Sequence, residues 1–485
     1  MTKAMDLNRF PNEILFQILE TTAELNQKEG VSYTFGLTQT GYPVQNAPQR
    51  YVRGPVPPAL LKWDAASALR MVCRRWHEWG IHYAMKNVYV KAWRGSERWC
   101  DLSIQRDKYK LYELIEKPRG ERVYRDPWLT LRRTKNLFTK WPLVAQQVRR
   151  LWFDGLYNPE TDTQIIETIK SCTNLTSVSL PWTVLRHGSA QDWAGILGTR
   201  REFPLRSLEL LAVNLSDKQM EAAQSVEDQH PLDSAVVNFS QLRRLKLFGD
   251  TAYSAINDDD LKAIARTATN LQEFHITCMS TVSIEGVMAI VKASKKTIRV
   301  LEHSPRSQDG FYHPDPGSLS ENEHICHVLT SCPKLEDLSI SLPSMCSELF
   351  ANERVQWKGD CQVRALRLCG HEEPGSRAAS GDALRKLLRQ ARNLISKRAT
   401  SSIPAELRIE LFFADFIFDP HIKAVHGDFE TAELFAPGSW PAHKERSRKG
   451  PYGSTGLYGK DEEYTFEKLN EDEFFRGLDM GVLRL

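Results

Sequence analysis

Apolar residues recur along much of the chain as Leu-x-x-Leu-x-Leu or a close variant. Sets start 27 to 37 residues apart, at Val148-Leu151-Phe153, Leu175-Val178-Leu180, Leu205-Leu208-Leu210, Leu242-Leu245-Leu247, Leu271-Phe274-Ile276, Ile298-Leu301-His303, Leu335-Leu338-Ile340 and Val363-Leu366-Leu368. The last two positions of each set alternate with other residues, as in a short strand. Helically spaced stripes precede many sets, for example Ile165, Ile166 and Ile169, or Val287, Ile290 and Val291. The pattern predicts units of helix, turn and strand that stack on one another, with a parallel sheet inside.

Two further segments follow the repeats towards the end of the chain. Residues 407–413, Leu-Arg-Ile-Glu-Leu-Phe-Phe, predict a strand that closes the repeats. Residues 437–460 are rich in Gly, Pro, Ser and basic side chains, and residues 461–479 hold eight acids against two bases. The tail is therefore expected to be disordered, or to compete for a basic part of the repeats.

Near the start of the chain the spacing predicts short amphipathic helices. Residues 10–19 place Ile14, Leu15, Ile18 and Leu19 on one face behind Pro11, and residues 64–79 form a second stripe behind Asp64. Gly and Pro punctuate residues 30–58, so a long irregular loop is expected between the two stripes.

The two N-terminal segments together resemble the F-box. Phe10-Pro11-Asn12-Glu13-Ile14-Leu15 is similar to its Leu-Pro-x-Glu-Ile-Leu, and Leu69 to Trp76 is similar to its later Leu-x-x-Val-Cys-x-x-Trp. The resemblance implies a three-helix hook that docks on the Skp adaptor of cullin-RING ubiquitin ligases. It also implies that the docking face, or its immediate support, is supplied by Phe10, Pro11, Ile14, Leu15, Ile18, Val72, Cys73 and Trp76.

The match departs from the family in two ways. Phe10 replaces the usual Leu, and about forty residues separate the halves, a loop whose closure entropy grows only logarithmically with length. The alternative is that these helices simply cap the next domain.

The repeats resemble the leucine-rich repeats found behind F-boxes, as in fungal-type F-box receptors. The fold class expected is therefore α/β: a helical hook followed by a curved leucine-rich-repeat solenoid with a parallel inner sheet. A doubly wound sheet is the alternative, although it uses longer buried strands. The domains expected are residues 6–85 with an insertion at about 26–63, a basic aromatic linker or cap at 86–147, the solenoid at 148–420 and the tail at 421–485.

Period-two alternation places the residues between the inward leucines on the opposite, concave face of the sheet. Arg244 and Lys246 form its most concentrated basic spot, which suits an acidic or phosphorylated peptide. The candidate substrate-binding residues on this face are Arg150, Trp152, Arg244, Lys246, His275 and Arg367. A solvated face without a selected ligand is the alternative for any one pair.

Residues 91–150 combine 16 basic residues, seven acids and several Trp and Tyr. Such a mixture binds single-stranded nucleic acid in some proteins, but no nucleic-acid motif accompanies it, and packing against apolar surface is the favoured interpretation.

Composition narrows the class of protein. The 485 residues carry 64 basic and 61 acidic side chains, a balance that disfavours a dedicated nucleic-acid binder. The sequence has no secretory or membrane-spanning stretch, and its nine scattered cysteines include no Cys-x-x-Cys pair. Reduced core thiols in the cytoplasm or nucleus are therefore expected. His324, Cys326 and Cys332 lack metal-ligand spacing, so no metal site is predicted.

No catalytic motif emerges from the sequence, and no cofactor is predicted. The segment 450–456 lacks the ending of a phosphate-binding loop, and His371-Glu372 lacks a second histidine four residues on. The resemblance to F-box proteins implies instead a non-catalytic substrate receptor that joins the Skp adaptor and its cullin-RING ligase to an unidentified protein. The alternative is a leucine-rich-repeat scaffold that acts outside ubiquitination, and an enzyme is the least favoured class.

Overall fold

The computed structural model describes the N-terminal helices and most of the repeats. The described residues are 10–38, 66–91, 113–116, 122–124, 128–154, 156, 159–198, 202–212, 230–249, 256–277, 282–304, 325–345, 348–352, 354–368, 386–387, 389–391, 393–398, 400, 407–414, 424–429 and 466–467. They fall into two compact units, the first ending at Leu205 and the second beginning at Arg206.

The first unit opens with a helix at Asn12–Thr38. The helix predicted over residues 10–19 is confirmed, but it continues through Gly30 and Gly36, so the loop expected from residue 30 does not begin there. A helical glycine costs only about 1 kcal/mol relative to alanine, and no proline lies between Pro11 and Pro43 to force an earlier end. Residues 39–65, the remainder of the predicted insertion, lie outside the described residues.

The second N-terminal stripe forms two helices where one was predicted. A short helix at Ser67–Arg70 ends before Met71, and a longer one runs over Arg74–Lys86. Cys73 between them is extended, with φ −160° and ψ 171°, and its carbonyl accepts a hydrogen bond from the His77 amide at 2.8 Å. The break lets the short helix pack back against the longer one.

Three parallel strands of the first unit stack in the order β1 (Asn87–Lys91), β4 (Arg150–Asp154), β5 (Ser177–Pro181). Val88, Leu151 and Val178 share one row of the register. The sequence pattern did not predict strand β1, because its residues lie outside the Leu-x-x-Leu-x-Leu repeats. Strands β2 (Glu113–Glu116) and β3 (Arg122–Tyr124) form a separate antiparallel pair. The other helices are Leu129–Lys140, Pro142–Ala145, Pro159–Ser171, Val184–His187 and Ala190–Leu197.

The second unit is built on a sheet whose strand order is linear, with the strands following in chain order. Neighbouring strands from β6 to β12 are parallel, β13 is antiparallel to β12, and β14 is parallel to β13. These strands are β6 (Ser207–Ala212), β7 (Arg244–Gly249), β8 (Glu273–Thr277), β9 (Val300–Ser304), β10 (Asp337–Met345), β11 (Gly359–Leu368), β12 (Leu407–Ala414), β13 (Ala424–Phe429) and β14 (Phe466–Glu467). The helices are Asp258–Ala265, Ile284–Ala293 and Ile325–Thr330, with a 3₁₀ turn at Pro231–Asp233.

The register of this sheet follows the predicted repeat. One row runs through Leu208, Leu245, Phe274, Leu301 and Leu338, and every member is buried. The predicted helical stripes face the same core, since Leu261, Ile264, Val287, Ile290 and Val291 are buried as well. The α/β character, the parallel sheet and the strand expected at residues 407–413 are thereby confirmed, but this strand does not close the sheet, because β13 and β14 continue it.

The eighth set of the repeat departs from its predicted register. Its spacing places Leu368 opposite Ile340, but the strands pair Ile340 with Val363. Cys361 and Val363 are fully buried. They lie two positions apart in a continuous ten-residue strand. They therefore take the core positions that the repeat spacing predicted for Leu366 and Leu368.

Successive repeats are joined by hydrogen bonds outside the strand ladders. The amide of Arg243 donates to the Arg206 carbonyl at 2.9 Å, and that of Gln272 donates to the Arg243 carbonyl at 2.7 Å. Asn270 Nδ2 donates to the Ser240 carbonyl at 2.8 Å. Because each link spans about one repeat, each of these bonds satisfies a backbone carbonyl of the preceding repeat.

Candidate functional site

The N-terminal helices share a small apolar core. The ring centroids of Trp79 and Tyr83 lie 5.1 Å apart in a stacked arrangement. Burial, followed by the charges of Glu24 and Glu20, raises the pKa of Tyr83. The buried members of this core are Leu15, Leu19, Ala23, Ala66, Trp76, Trp79 and Tyr83. The two halves of the F-box-like pattern therefore pack on each other in space.

Polar contacts also join the two halves. Arg75 donates from Nε to Asn12 Oδ1 and from Nη2 to the Phe10 carbonyl, both at 2.7 Å. Lys86 Nζ lies 2.7 Å from Glu20 Oε1. A hydrogen bond from a charged donor is worth more than a neutral one, so Arg75 fixes the start of the first helix against the third.

Glycine at position 80 allows two of these helices to approach closely. A Cβ atom at this position would lie 2.8 Å from the Cβ of Arg70, which is nearer than real side chains tolerate. The short helix Ser67–Arg70 therefore lies directly against the backbone of Arg74–Lys86.

The structure sorts the eight predicted docking residues by exposure. Leu15 and Trp76 are buried in the core, where they support the other residues. Phe10, Ile18 and Cys73 are partly buried. Pro11 is exposed, as are Ile14 (43%) and Val72 (56%).

Met71 is a further exposed apolar residue that the motif comparison did not single out. It is 82% exposed and lies beside Val72 in the break between two helices. Its large apolar side chain in a predicted helix gave no signal, because the exposure arises from the break. Pro11, Ile14, Met71 and Val72 are named below the apolar face.

A second group of functional candidates lies along the sheet of the second unit. The register aligns Glu209 of β6, Lys246 of β7, His275 of β8 and Glu302 of β9 in one row. Arg244 and Glu273 pair in the adjoining row. These six residues, named here the charge ladder, carry three carboxylates, two permanent cations and one histidine.

The charge ladder is internally paired. Lys246 Nζ lies 3.2 Å from Glu209 Oε1, and His275 Nδ1 lies 3.1 Å from Glu302 Oε2. Arg244 donates to both oxygens of Glu273, from Nε at 2.5 Å and from Nη2 at 2.7 Å. The basic spot expected at Arg244 and Lys246 is thus neutralised by neighbouring carboxylates.

Two groups of the charge ladder, Glu273 and His275, have shifted pKa values. Burial disfavours the charge of Glu273, but hydrogen bonds from His275 and Arg244 outweigh it and lower the pKa of Glu273 to about 2. Burial also works against a charged His275, yet Glu273 and Glu302 raise the pKa of this histidine. With His275 protonated, the six formal charges cancel.

The predicted open surface is corrected at three of the six substrate-binding candidates. Lys246 is only 3% exposed, His275 1% and Trp152 4%, so their side chains are buried. Strands lie close enough for long side chains on neighbouring strands to pair and cover one another, which period-two alternation alone does not reveal.

The other three candidates lie in different settings. Arg150 is exposed, Arg244 is partly buried in its ion pair, and Arg367 lies in β11 opposite Ser344. The residue that occupies the strand position predicted for Arg367, opposite Ser339, is Gln362. Within the second unit, Arg244, Lys246 and His275 therefore do not form the open surface that the sequence predicted.

The first unit holds a further buried polar pair. His187 Nδ1 lies 2.6 Å from Asp162 Oδ2, and both side chains are more than nine-tenths buried. Burial raises the pKa of Asp162, although the hydrogen bond from His187 opposes the shift. The pair joins the helices Pro159–Ser171 and Val184–His187, and sequence spacing did not indicate it.

The cysteines and other metal-ligating side chains of the described residues form no further reactive site. The five described cysteines form no disulfide, and Cys172, Cys326, Cys332 and Cys361 are buried. Burial raises the pKa of Cys332 to about 11, so its thiol is a poor nucleophile. Among these residues, no cluster of three or more metal-ligating side chains is found, and no helix is long and apolar enough to cross a membrane. His324 lies outside them.

Comparison with known proteins adds no family assignment. The chain matches no protein-family model, and no curated protein is significantly similar to it.

Proposed function

We propose that the chain is the substrate-receptor subunit of an SCF-type cullin-RING ubiquitin ligase. In this proposal the N-terminal helices form an F-box hook that docks on the Skp adaptor, and the repeats form a leucine-rich-repeat solenoid that holds the target. The chain donates no reactive group. Its contribution is proximity, because it raises the effective concentration of a target lysine near the ubiquitin thioester. The complex acts in the cytoplasm or the nucleus.

The apolar face is the observation that carries the proposal. Ile14 lies in the first helix and Val72 in the break between the next two helices, almost sixty residues away in the sequence, and these helices share one core. An exposed cluster of large apolar side chains on a rigid support is typical of a surface that binds another protein. Arg75 and Gly80 fix the helices that present it.

Direct binding of the purified Skp adaptor to the full chain tests the docking step. Val72→Asp places a charge in the apolar face and should weaken binding at least about tenfold, since an unpaired buried charge costs several kcal/mol. Ile81→Asp is the matched control, because Ile81 is also exposed, at 45%, on the helix that follows the face. Its affinity should stay within about twofold of the native value.

Retained adaptor binding in both Val72→Asp and Ile14→Asp, with unchanged thermal unfolding, would refute the docking assignment. The ligase and the scaffold outside ubiquitination are separated by a second measurement. Proteins captured by the native chain should accumulate in cells that carry Val72→Asp, whereas unchanged turnover of every captured protein favours the scaffold.

A further inference from the structure

A second exposed apolar patch lies in the first unit, apart from the apolar face. Leu137 is 40% exposed, Trp141 55% and Leu143 75%. Leu137 and Trp141 are four residues apart, and the Trp141 amide donates to the Leu137 carbonyl at 2.8 Å, so the two side chains occupy neighbouring turns. The same helix packs against the rest of the unit through Leu131 and Phe138, which are buried.

The segment that carries this patch has charge of one sign. Between Trp128 and Arg150 the sequence contains six basic residues and no Asp or Glu. Arg133 lies one turn before Leu137 and is exposed, and Lys140 Nζ lies 5.9 Å from the centroid of the Trp141 ring. Lys135, on the side nearer the core, is paired with Glu167. Within the described residues, Arg133 and Lys140 have no carboxylate partner.

We infer that Arg133, Leu137, Lys140, Trp141 and Leu143 bind an acidic segment of another protein that also carries bulky apolar side chains. The leucines and the tryptophan cover its apolar residues, and Arg133 and Lys140 meet its carboxylates. A nucleic acid fits less well, because two of the three exposed apolar residues are leucines, which offer no ring on which a base can stack. This surface is independent of the proposed adaptor docking.

Fluorescence anisotropy with the full chain and labelled peptides tests the inference. The probe is a synthetic peptide of about 16 residues in which Glu and Asp alternate with Leu and Phe at helical spacing. One comparison peptide replaces its Leu and Phe by Ser, another replaces its acids by Lys, and an oligothymidine of the same length represents nucleic acid. Only the acidic apolar peptide should bind, and added salt should weaken it.

Two pairs of variants identify the surface. Arg133→Glu with Lys140→Glu should weaken the peptide at least about tenfold, and Leu137→Ser with Trp141→Ser about fivefold or more. Lys295→Glu with Lys296→Glu is the matched control, because both lysines are exposed and the change in net charge is the same. Its affinity should change less than about twofold.

Three results overturn the inference. They are no binding of the acidic apolar peptide, equal loss in the two charge-reversal pairs, and tighter binding of oligothymidine that depends on Trp141. The last result assigns the surface to nucleic acid instead. All substituted side chains are exposed, and an unchanged unfolding temperature confirms that each variant is folded.

Discussion

Lys246 and Glu209 lie opposite each other on adjacent parallel strands, with Lys246 Nζ 3.2 Å from Glu209 Oε1 and only 4% and 5% of their side-chain surfaces exposed. Removing two charges from water is expensive, and their mutual attraction repays the cost only when the geometry is good. The buried charge of each residue is thus stabilised by the opposite charge of the other. A position first expected to contact a ligand instead contributes to the cohesion of neighbouring repeats.

Breaking this pair should destabilise the second unit. Lys246→Met leaves a buried carboxylate without its cation and should lower the free energy of unfolding by about 3–5 kcal/mol. The double variant Glu209→Leu with Lys246→Met should lose less than the sum of the two single variants, with a coupling energy of about 1–3 kcal/mol. Urea unfolding followed by circular dichroism gives all four values.

The exposed pair Lys262 and Glu285 is the control for this cycle. Its charged atoms are 2.9 Å apart, but the side chains are 46% and 47% exposed. Lys262→Met should therefore cost less than about 1 kcal/mol. Additive single variants at Glu209 and Lys246 would show that the buried pair is not a coupled unit.

Stability should depend on pH through His275. Its folded pKa is raised above the usual 6.5, so the protonated ring stabilises the fold below pH 6.5, and this contribution is lost as the pH rises through the folded pKa. Glu273 acts in the opposite direction. Its contribution is present above 4.5 and is lost as the pH falls towards about 2. Both groups therefore contribute fully to the stability of the fold between pH 4.5 and 6.5.

His275→Gln tests the histidine contribution. The urea midpoint of the native chain should exceed that of the variant most clearly near pH 5.5 and by a smaller margin at alkaline pH. Arg244, Lys246 and Glu209 remain in place in both proteins, whereas Glu273 and Glu302 lose their hydrogen bonds from His275, so the margin reports the ring together with these two carboxylates. A margin that does not change with pH would mean that the ring does not titrate in the folded state.

The sequence predicted the helix–strand order of the repeats well because apolar spacing directly reports which face is buried. Leu208, Leu245 and Phe274 fall in one row for that reason. The same pattern was ambiguous in β11, where Cys361 and Val363 satisfy it as well as Leu366 and Leu368 do. Period-two alternation also assigned Lys246 and His275 to the correct face, but it carries no information on what covers that face.

The N-terminal site shows a similar limit. The F-box-like motif includes Ile14 and Val72, which are exposed. It includes Leu15 and Trp76 equally, although these two are buried in the core beneath. The roles of Met71 and Gly80 depend on how two helices cross. Such tertiary relationships leave no periodic signal in the sequence.

Gly80→Ala should destabilise the N-terminal helices even though alanine favours a helix. The new methyl group meets the Cβ of Arg70, which cannot move without its backbone, and overpacking of this kind costs about 1–3 kcal/mol. Adaptor binding should weaken with it if the apolar face docks there. Thermal unfolding and adaptor affinity are measured on the same preparation.

Gly195→Ala is the matched control for this substitution. A Cβ atom at Gly195 meets the Cε of Lys170 at 3.3 Å, and this flexible side chain can move aside. The variant should therefore be neutral, or more stable by up to about 1 kcal/mol through helix propensity. Destabilisation of the same size in both variants would remove the argument from close helix packing.

Asn270→Ala should weaken the connection between two neighbouring repeats. Its side-chain amide donates to the Ser240 carbonyl at 2.8 Å, and Asn174 donates in the same way to the Gln146 carbonyl at 2.9 Å. A net loss of about 0.5–1.5 kcal/mol is expected for one such bond, because an exposed carbonyl regains water. Asn270→Asp keeps the shape but cannot donate, so it should lose as much as alanine does. Hydrogen exchange should then speed up mainly in the segments around Ser240 and Asn270, and a uniform change across the second unit would contradict a local link.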